Sequence, residues 1–307
     1  MARHHVHVAP DSGRVDSLQQ AALAGGAELV DASSAEVLIW ADPARAGELA
    51  DYLETMDKVT WVALPYAGIE PYLPTIRSRR DLLWTCARDV YSRPVAEHAV
   101  ALATSGLRNI VGYARQDRWT APAGTMLTDG RITIFGGGGI SRALISLLQG
   151  WNCDITVVRR SAEPLAGAAR VMPPSKAVEA VRGADAVVLA LPLTEHTRHI
   201  IDKTVLRAME PHAWIVNVAR GGVIDTDDLV EALVEGSIGG AALDVTDPEP
   251  LPDGHQLWDL SNVVITPHVG NTPEMGIPLL AAFIEENVRS WIDDNEVEGV
   301  VDPESGY

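Results

Sequence analysis

Gly136-Gly137-Gly138-Gly139 stands between a short apolar run, Ile132–Phe135, and a helical segment, Ile140–Gln149. Strand, glycine turn and helix in that order is the arrangement that receives a dinucleotide. Gly136 permits the tight turn, and Gly138 lets the backbone approach a pyrophosphate. The helix beginning near Ile140, with Gly139 just before it, offers free N–H groups and the positive end of its dipole to the phosphates. The third small position of the fingerprint holds Ser141 in place of glycine. A flexible loop is the competing reading of four glycines, and the flanking elements weigh against it. The next apolar run, Ile155–Val158, ends in Arg159-Arg160-Ser161, roughly 20 residues beyond the loop. A carboxylate there would accept from a ribose 2′-hydroxyl and repel a 2′-phosphate; two guanidiniums attract the phosphate and can bond it bidentately. The pair predicts NADP(H) in preference to NAD(H), with solvated surface arginines as the alternative.

Two further residues sit where chemistry on a small anion would need them. Arg220 follows the run Trp214–Val218, at the carboxyl end of a strand, and its planar fork suits a carboxylate. His268 closes the run Val263–Thr266. As imidazolium it can protonate a carbonyl oxygen while hydride arrives at carbon, and as imidazole it can take that proton back. A cation for the carboxylate, a proton donor and a hydride source are the parts needed to reduce a 2-oxo acid. Taken singly, Arg220 also reads as a structural loop arginine and His268 as a structural histidine.

The elements that must position these residues alternate from end to end. Strands are expected at His5–Ala9, Val37–Ala41, Val59–Leu64 and Leu82–Cys86, with helices at Val15–Ala24, Gly47–Thr55 and Ile69–Ser78. A long helix from Val95 to about Gln116 follows Pro94, and a second series begins at Arg131. It adds strands at Ala186–Leu191 and Ala241–Val245, a helix Asp227–Glu235 capped by Asp225 or Thr226, and a closing helix from Ile277 to about Asp293. Such alternation implies parallel sheets with helices on their faces. The length, 307 residues, suits two domains. Hydrophobic residues make up 47% and charged residues 21%, which excludes a disordered chain. A net charge of -18 repels phosphate backbones and anionic membranes, so neither nucleic acid nor membrane is an expected partner. Met1-Ala2-Arg3-His4-His5 leads into no apolar stretch, and no membrane span or export leader is expected. Cys86 and Cys153 have no metal or redox spacing, which points to a cytoplasmic protein. His4, His5 and His7 supply too few ligands in strand spacing for zinc, so no metal is expected.

The segment Asn217-Val218-Ala219-Arg220-Gly221-Gly222-Val223-Ile224-Asp225 resembles a signature of the D-isomer-specific 2-hydroxyacid dehydrogenases. Four more segments agree in order: Ala67-Gly68, Val95-Ala96-Glu97-His98, Leu243-Asp244-Val245 through Glu249-Pro250, and Thr266-Pro267-His268. Within the family, the ending Arg159-Arg160-Ser161 resembles that of NADP-preferring glyoxylate and hydroxypyruvate reductases. The resemblance implies a catalytic trio of Arg220, Glu249 and His268, with Glu249 hydrogen-bonded to the imidazole, favouring its charged form and fixing its orientation. It implies substrate contacts through Tyr66, Ala67 and Gly68. It also places Leu191, Pro192, Thr194, Arg198, Val218, Ala219, Asp244 and Gly270, with His268, beside the cofactor. Glu97 and His98 are read as structural. The acidic partner Glu249 separates the chain from formate dehydrogenases of the wider family.

The expected fold is therefore α/β: two doubly wound parallel-sheet domains, a flavodoxin-like substrate domain and a Rossmann cofactor domain, with a cleft between them. The boundaries expected are 1–94 plus 290–307 for the first and 95–289 for the second. The resemblance implies a homodimer built through the cofactor domain, and the chain's end soon after the closing helix implies none of the regulatory extension of long phosphoglycerate dehydrogenases. The expected activity is NADPH-dependent reduction of a small 2-oxo acid such as glyoxylate or hydroxypyruvate to the D-2-hydroxy acid. A dinucleotide-sensing corepressor of the same fold, with little turnover, is the alternative, and a catalytically idle binding protein a further one.

Overall fold

The computed structural model of the chain describes residues 4–294 and 296–302. Met1–Arg3, on which the reading of the N-terminus partly rests, and the last five residues of the acidic tail lie outside them. The chain forms two compact units, Met1–Tyr91 with Thr272–Tyr307, and Ser92–Asn271.

The first unit opens with β1 (His5–Ala9), α1 (Val15–Ala24), β2 (Glu28–Leu29), β3 (Val37–Trp40), α2 (Leu49–Leu53), β4 (Trp61–Leu64), α3 (Leu73–Ser78) and β5 (Leu83–Cys86). Its five strands are parallel in the order β2-β1-β3-β4-β5. Side chains alternate across the sheet with period two. Leu38, Trp40, Val62, Leu64, Trp84 and Cys86 fill the core on one face, while Val37, Ile39, Trp61, Ala63 and Leu83 fill the other. Because both faces are covered, the strands read as unbroken apolar runs.

The second unit comprises α4 (Ser92–Leu107), α5 (Ile110–Ala114), β6 (Arg131–Phe135), α6 (Gly139–Leu148), β7 (Asp154–Val158), β8 (Arg170–Met172), α7 (Ala177–Ala180), β9 (Ala186–Leu189), α8 (Lys203–Leu206), β10 (Trp214–Asn217), α9 (Thr226–Glu235), β11 (Gly240–Leu243) and β12 (Val263–Ile265). Its seven parallel strands run β12-β11-β10-β9-β6-β7-β8. The winding reverses between β6 and β9, and at such a switch point the carboxyl ends of the strands leave a crevice for ligands. Asp225 caps α9, its Oδ1 accepting from the Asp228 amide at 3.2 Å.

The fold class expected from the sequence is present, with three corrections. The long helix expected from Val95 to Gln116 starts at Ser92 and stops at Leu107. Asn109 there adopts φ +52°, a left-handed turn that Asn tolerates better than most residues, and α5 starts afresh. The closing helix, α10 (Pro273–Asp294), lies wholly in the first unit, so the chain returns at Thr272 and not near Ser290. Its Leu280, Ile284 and Val288 share a core with Val6, Leu18 and Ala22, and this apolar stripe draws the helix onto the first unit. The edge strands β2 and β8 and the short helices α7 and α8 were not anticipated.

Candidate active site

Every predicted residue of the second unit follows the carboxyl end of a strand of one sheet. The glycine loop follows β6, Arg159 follows β7, Leu191 follows β9, Arg220 follows β10, Asp244 and Glu249 follow β11, and His268 follows β12. Gly136 has φ +108°, and a Cβ there would lie 2.0 Å from the Ala190 carbonyl oxygen, so no other residue fits. A Cβ on Gly138, in contrast, would meet nothing within 4 Å; the backbone ahead of α6 is open to a ligand. Ser141 is fully buried and its hydroxyl donates to the Gly136 carbonyl at 3.0 Å. The departure from glycine thus closes the loop on itself. Gly139 is the first residue of α6 and Ile140 is half-buried beside it. These features fit a dinucleotide pyrophosphate.

Arg159 lies over the loop, its Cδ 2.5 Å from where a Cβ on Gly137 would stand. Its Nε donates to the Ser161 carbonyl at 3.1 Å and its Nη2 to the Glu163 carbonyl at 2.7 Å. These bonds use two of its five N–H donors and fix the guanidinium at the tip of β7. Arg160 and Ser161 are exposed next to it. Arg142, not anticipated from the sequence, donates from Nη1 to the Gly137 carbonyl at 3.1 Å and adds a third guanidinium to this corner.

Beyond β9, Leu191 is half-buried and Pro192 exposed, and a tight turn follows in which the Arg198 amide donates to the Thr194 carbonyl at 2.9 Å. The Arg198 guanidinium reaches to 3.9 Å from Asp247, and both approach to 3.2 Å from a Cβ placed on Gly222. Val218 and Ala219 are buried. The turn carrying Arg220 is held by Asn217, which is 1% exposed: its Oδ1 accepts from the Ala219 amide and its Nδ2 donates to the Arg220 carbonyl. Asn217 was quoted in the signature but given no role.

His268 and Glu249 meet as expected, with Nδ1 2.6 Å from Oε1 and both side chains partly open to solvent. A carboxylate only accepts, so Nδ1 carries the proton of this bond and Nε2 is left as the exchangeable position. His268 adopts φ +54°. Behind it, Asp244 is 3% exposed and accepts from the Thr266 hydroxyl at 2.5 Å and from the amides of Val269 and Gly270, each at 2.9 Å. His98 of α4 places Nε2 3.2 Å from the same carboxylate and 3.0 Å from the Thr266 hydroxyl. Burial pushes Asp244 toward its neutral form, but the bonds from His98, Thr266 and the two amides outweigh it and bring the carboxyl down to about 2. His98 and Thr266 are therefore members of the site that the sequence reading left outside it.

In the first unit, Tyr66, Ala67 and Gly68 follow the carboxyl end of β4. Arg14 donates to the Tyr66 hydroxyl at 2.8 Å and lies over its ring, which packs edge-on against Tyr91 at 5.4 Å. Ala67 is exposed and Gly68 half-buried. His7 bonds the Val30 carbonyl and the Tyr52 hydroxyl, each at 2.8 Å, a structural use of this histidine. No helix among the described residues is long and apolar enough to cross a membrane.

Residues 99–270 match the family model described as D-isomer specific 2-hydroxyacid dehydrogenase, NAD binding domain. The chain is 34% identical over 267 residues to an uncharacterized protein in the proB 3′ region of Corynebacterium melassecola, covering 85% of this chain and 88% of that one. It is 33% identical over 226 residues to the glyoxylate reductase of Pyrococcus furiosus, covering 70% of this chain and 67% of that one. Among solved structures, a D-isomer specific 2-hydroxyacid dehydrogenase from Xanthobacter autotrophicus Py2, in complex with NADPH and MES, superposes with a TM-score of 0.83 at 24% identity over the full length of both chains.

Proposed function

Because this chain belongs to the D-isomer-specific 2-hydroxyacid dehydrogenase family, an NAD(P)-dependent group of enzymes, we propose that it reduces a small 2-oxo acid of the glyoxylate or hydroxypyruvate type with NADPH, giving the D-2-hydroxy acid. The observation that carries this reading is the 2.6 Å bond between Glu249 and His268, a proton donor held and oriented by a carboxylate on the ligand edge of the sheet. The reduced nicotinamide, when bound, supplies the hydride. Arg220 takes the substrate carboxylate, its approach fixed by Asn217. In the first unit, the main-chain N–H groups of Ala67 and Gly68 are suited to a carboxylate, and Tyr66 is assigned to the substrate's surroundings. His268 delivers the proton from Nε2 to the carbonyl oxygen, while Glu249 stabilises the imidazolium before transfer and holds the ring afterwards.

Gly136, Gly138, Gly139 and Ile140 would receive the pyrophosphate at the first turn of α6. Arg159, Arg160 and Ser161 would receive the 2′-phosphate, with Arg142 adding charge; this supports NADPH over NADH. Leu191, Pro192, Thr194, Arg198, Val218, Ala219, Asp244 and Gly270 complete the cofactor's surroundings. A homodimer through the second unit is part of the reading. It is supported by the stretch after α5, where Trp119 is 100% exposed and Met126 62%, with Ile110 at 52% on α5 itself. The free thiols Cys86 and Cys153 are in keeping with a cytoplasmic protein.

Oxidation of NADPH and NADH with a panel running from glyoxylate and hydroxypyruvate to pyruvate and bulkier 2-oxo acids tests the proposal. Turnover favouring NADPH with one of the small acids is expected. Preference for NADH would discard the phosphate assignment. Absence of turnover with both, despite dinucleotide binding, would turn the reading toward a sensor.

A further inference from the structure

We propose that His98 is a positioning residue for His268, acting through Asp244; the inference rests on the reading of His268 as the proton donor. His268 holds a left-handed backbone conformation that residues other than Gly, Asn and Asp seldom adopt. Asp244 binds the backbone of this turn at three points, and the Thr266 carbonyl shares the His268 amide at 3.0 Å. The Asp244 carbonyl accepts from the His268 amide at 2.9 Å, and its carboxylate takes the next two amides, Val269 on Oδ1 and Gly270 on Oδ2. Three successive N–H groups are thereby gripped from the end of β11, and the imidazole is carried to Glu249.

The grip depends on Asp244 staying ionised and fixed while enclosed in protein. Thr266 donates its hydroxyl proton to Oδ1, so toward His98 both the hydroxyl and the carboxylate present lone pairs alone. Nε2 of His98, 3.0 and 3.2 Å from those two oxygens, must therefore bear a hydrogen and donate. Among the described residues His98 is the basic side chain within ion-pair distance of Asp244. It also backs the turn directly: a Cβ on Gly270 would stand 3.7 Å from His98 Cδ2 and 3.6 Å from Val95 Cγ2. Helix α4 thus forms the rear wall of the turn that presents His268. Removing the N–H leaves a buried carboxylate short of a donor, and the turn it holds loosens.

The test uses the full-length protein with His98→Phe, which keeps ring bulk, and His98→Gln, which keeps an N–H near the Nε2 position. In His98→Phe, kcat should fall roughly 10- to 100-fold, the loss expected from a misplaced catalytic group, with KM for the 2-oxo acid little changed. His98→Gln should recover most of the turnover. On a His268→Ala background His98→Phe should cost nothing more, because the group it positions is already gone. Independently of turnover, hydrogen exchange at the Val269 and Gly270 amides should accelerate in His98→Phe of the free protein and stay slow in His98→Gln. Wild-type exchange at both amides in His98→Phe overturns the proposal, as does a loss of turnover that persists in full without His268. A wild-type protein that turns over no 2-oxo acid would sink the proposed reaction, while the exchange rates would still decide whether His98 holds the turn.

Discussion

Glu249 and His268 bond at 2.6 Å while both remain partly exposed, so their worth lies in orientation more than in stability. Glu249→Gln should keep the fold, with melting temperature close to wild type, and lower kcat well beyond any change in KM. Arg220→Ala should lower kcat/KM for every 2-oxo acid by about 10²–10³, the usual loss on removing a charged donor, and spare NADPH binding in a titration. Asp244 behaves differently, because its carboxyl is held at about 2, below an unfolded value of about 3.9. Its ionised form thus contributes stability that is complete above about pH 4 and is lost as pH falls toward 2, on the order of 2 kcal/mol. Melting curves between pH 5 and pH 2 should show this loss, and Asp244→Asn, less stable at neutral pH, should flatten it. At this scale the sequence was informative about where Arg220 and His268 stand, each just after a strand. Glu249 was readable through family resemblance alone. The pairing of His98 with Thr266 spans 168 positions, and no local spacing announces it.

The strands were legible because burial on both faces makes each a continuous apolar run, as in Ala186–Leu189 and Trp214–Asn217. What escaped obeys the same physics. β2 has two residues and β8 three, both on sheet edges, where too few side chains are buried to leave a pattern. The break between α4 and α5 rests on one backbone angle at Asn109 inside a helical periodicity that continues on either side. The glycine turn before α6 was read correctly, and Ser141 fits by bonding back to Gly136. The tip of β7 supplies the element-level prediction. Replacing Arg159 and Arg160 together by Ala should raise KM for NADPH by about 10- to 100-fold, in line with the loss of charge-assisted bonds, and leave KM for NADH nearly unchanged. A cofactor preference that survives both changes would remove the corner at β7 from recognition of the 2′-phosphate.

For the molecule as a whole, the charge of -18 bears on assembly. In the proposed dimer, two copies meeting through the stretch that exposes Trp119 and Met126 would have to overcome mutual repulsion that salt screens. The dimer fraction measured by sedimentation at limiting concentration should therefore rise with ionic strength, and Trp119→Ser with Met126→Ser should shift the protein toward monomer at any salt concentration. The placement of α10 has a consequence for the birth of the protein. The first unit is made of two pieces of chain, with the second unit inserted between them as 180 residues, Ser92–Asn271. On a ribosome the sheet of β1 to β5 emerges first, yet Val6, Leu18 and Ala22 must wait for Leu280, Ile284 and Val288 before that layer is covered. At about 5–20 residues per second the wait is roughly 10–40 s. The inserted unit, continuous in sequence, can finish folding within that interval, so the half of the molecule translated first is the half completed last, and its bare apolar face is the one a chaperone would meet.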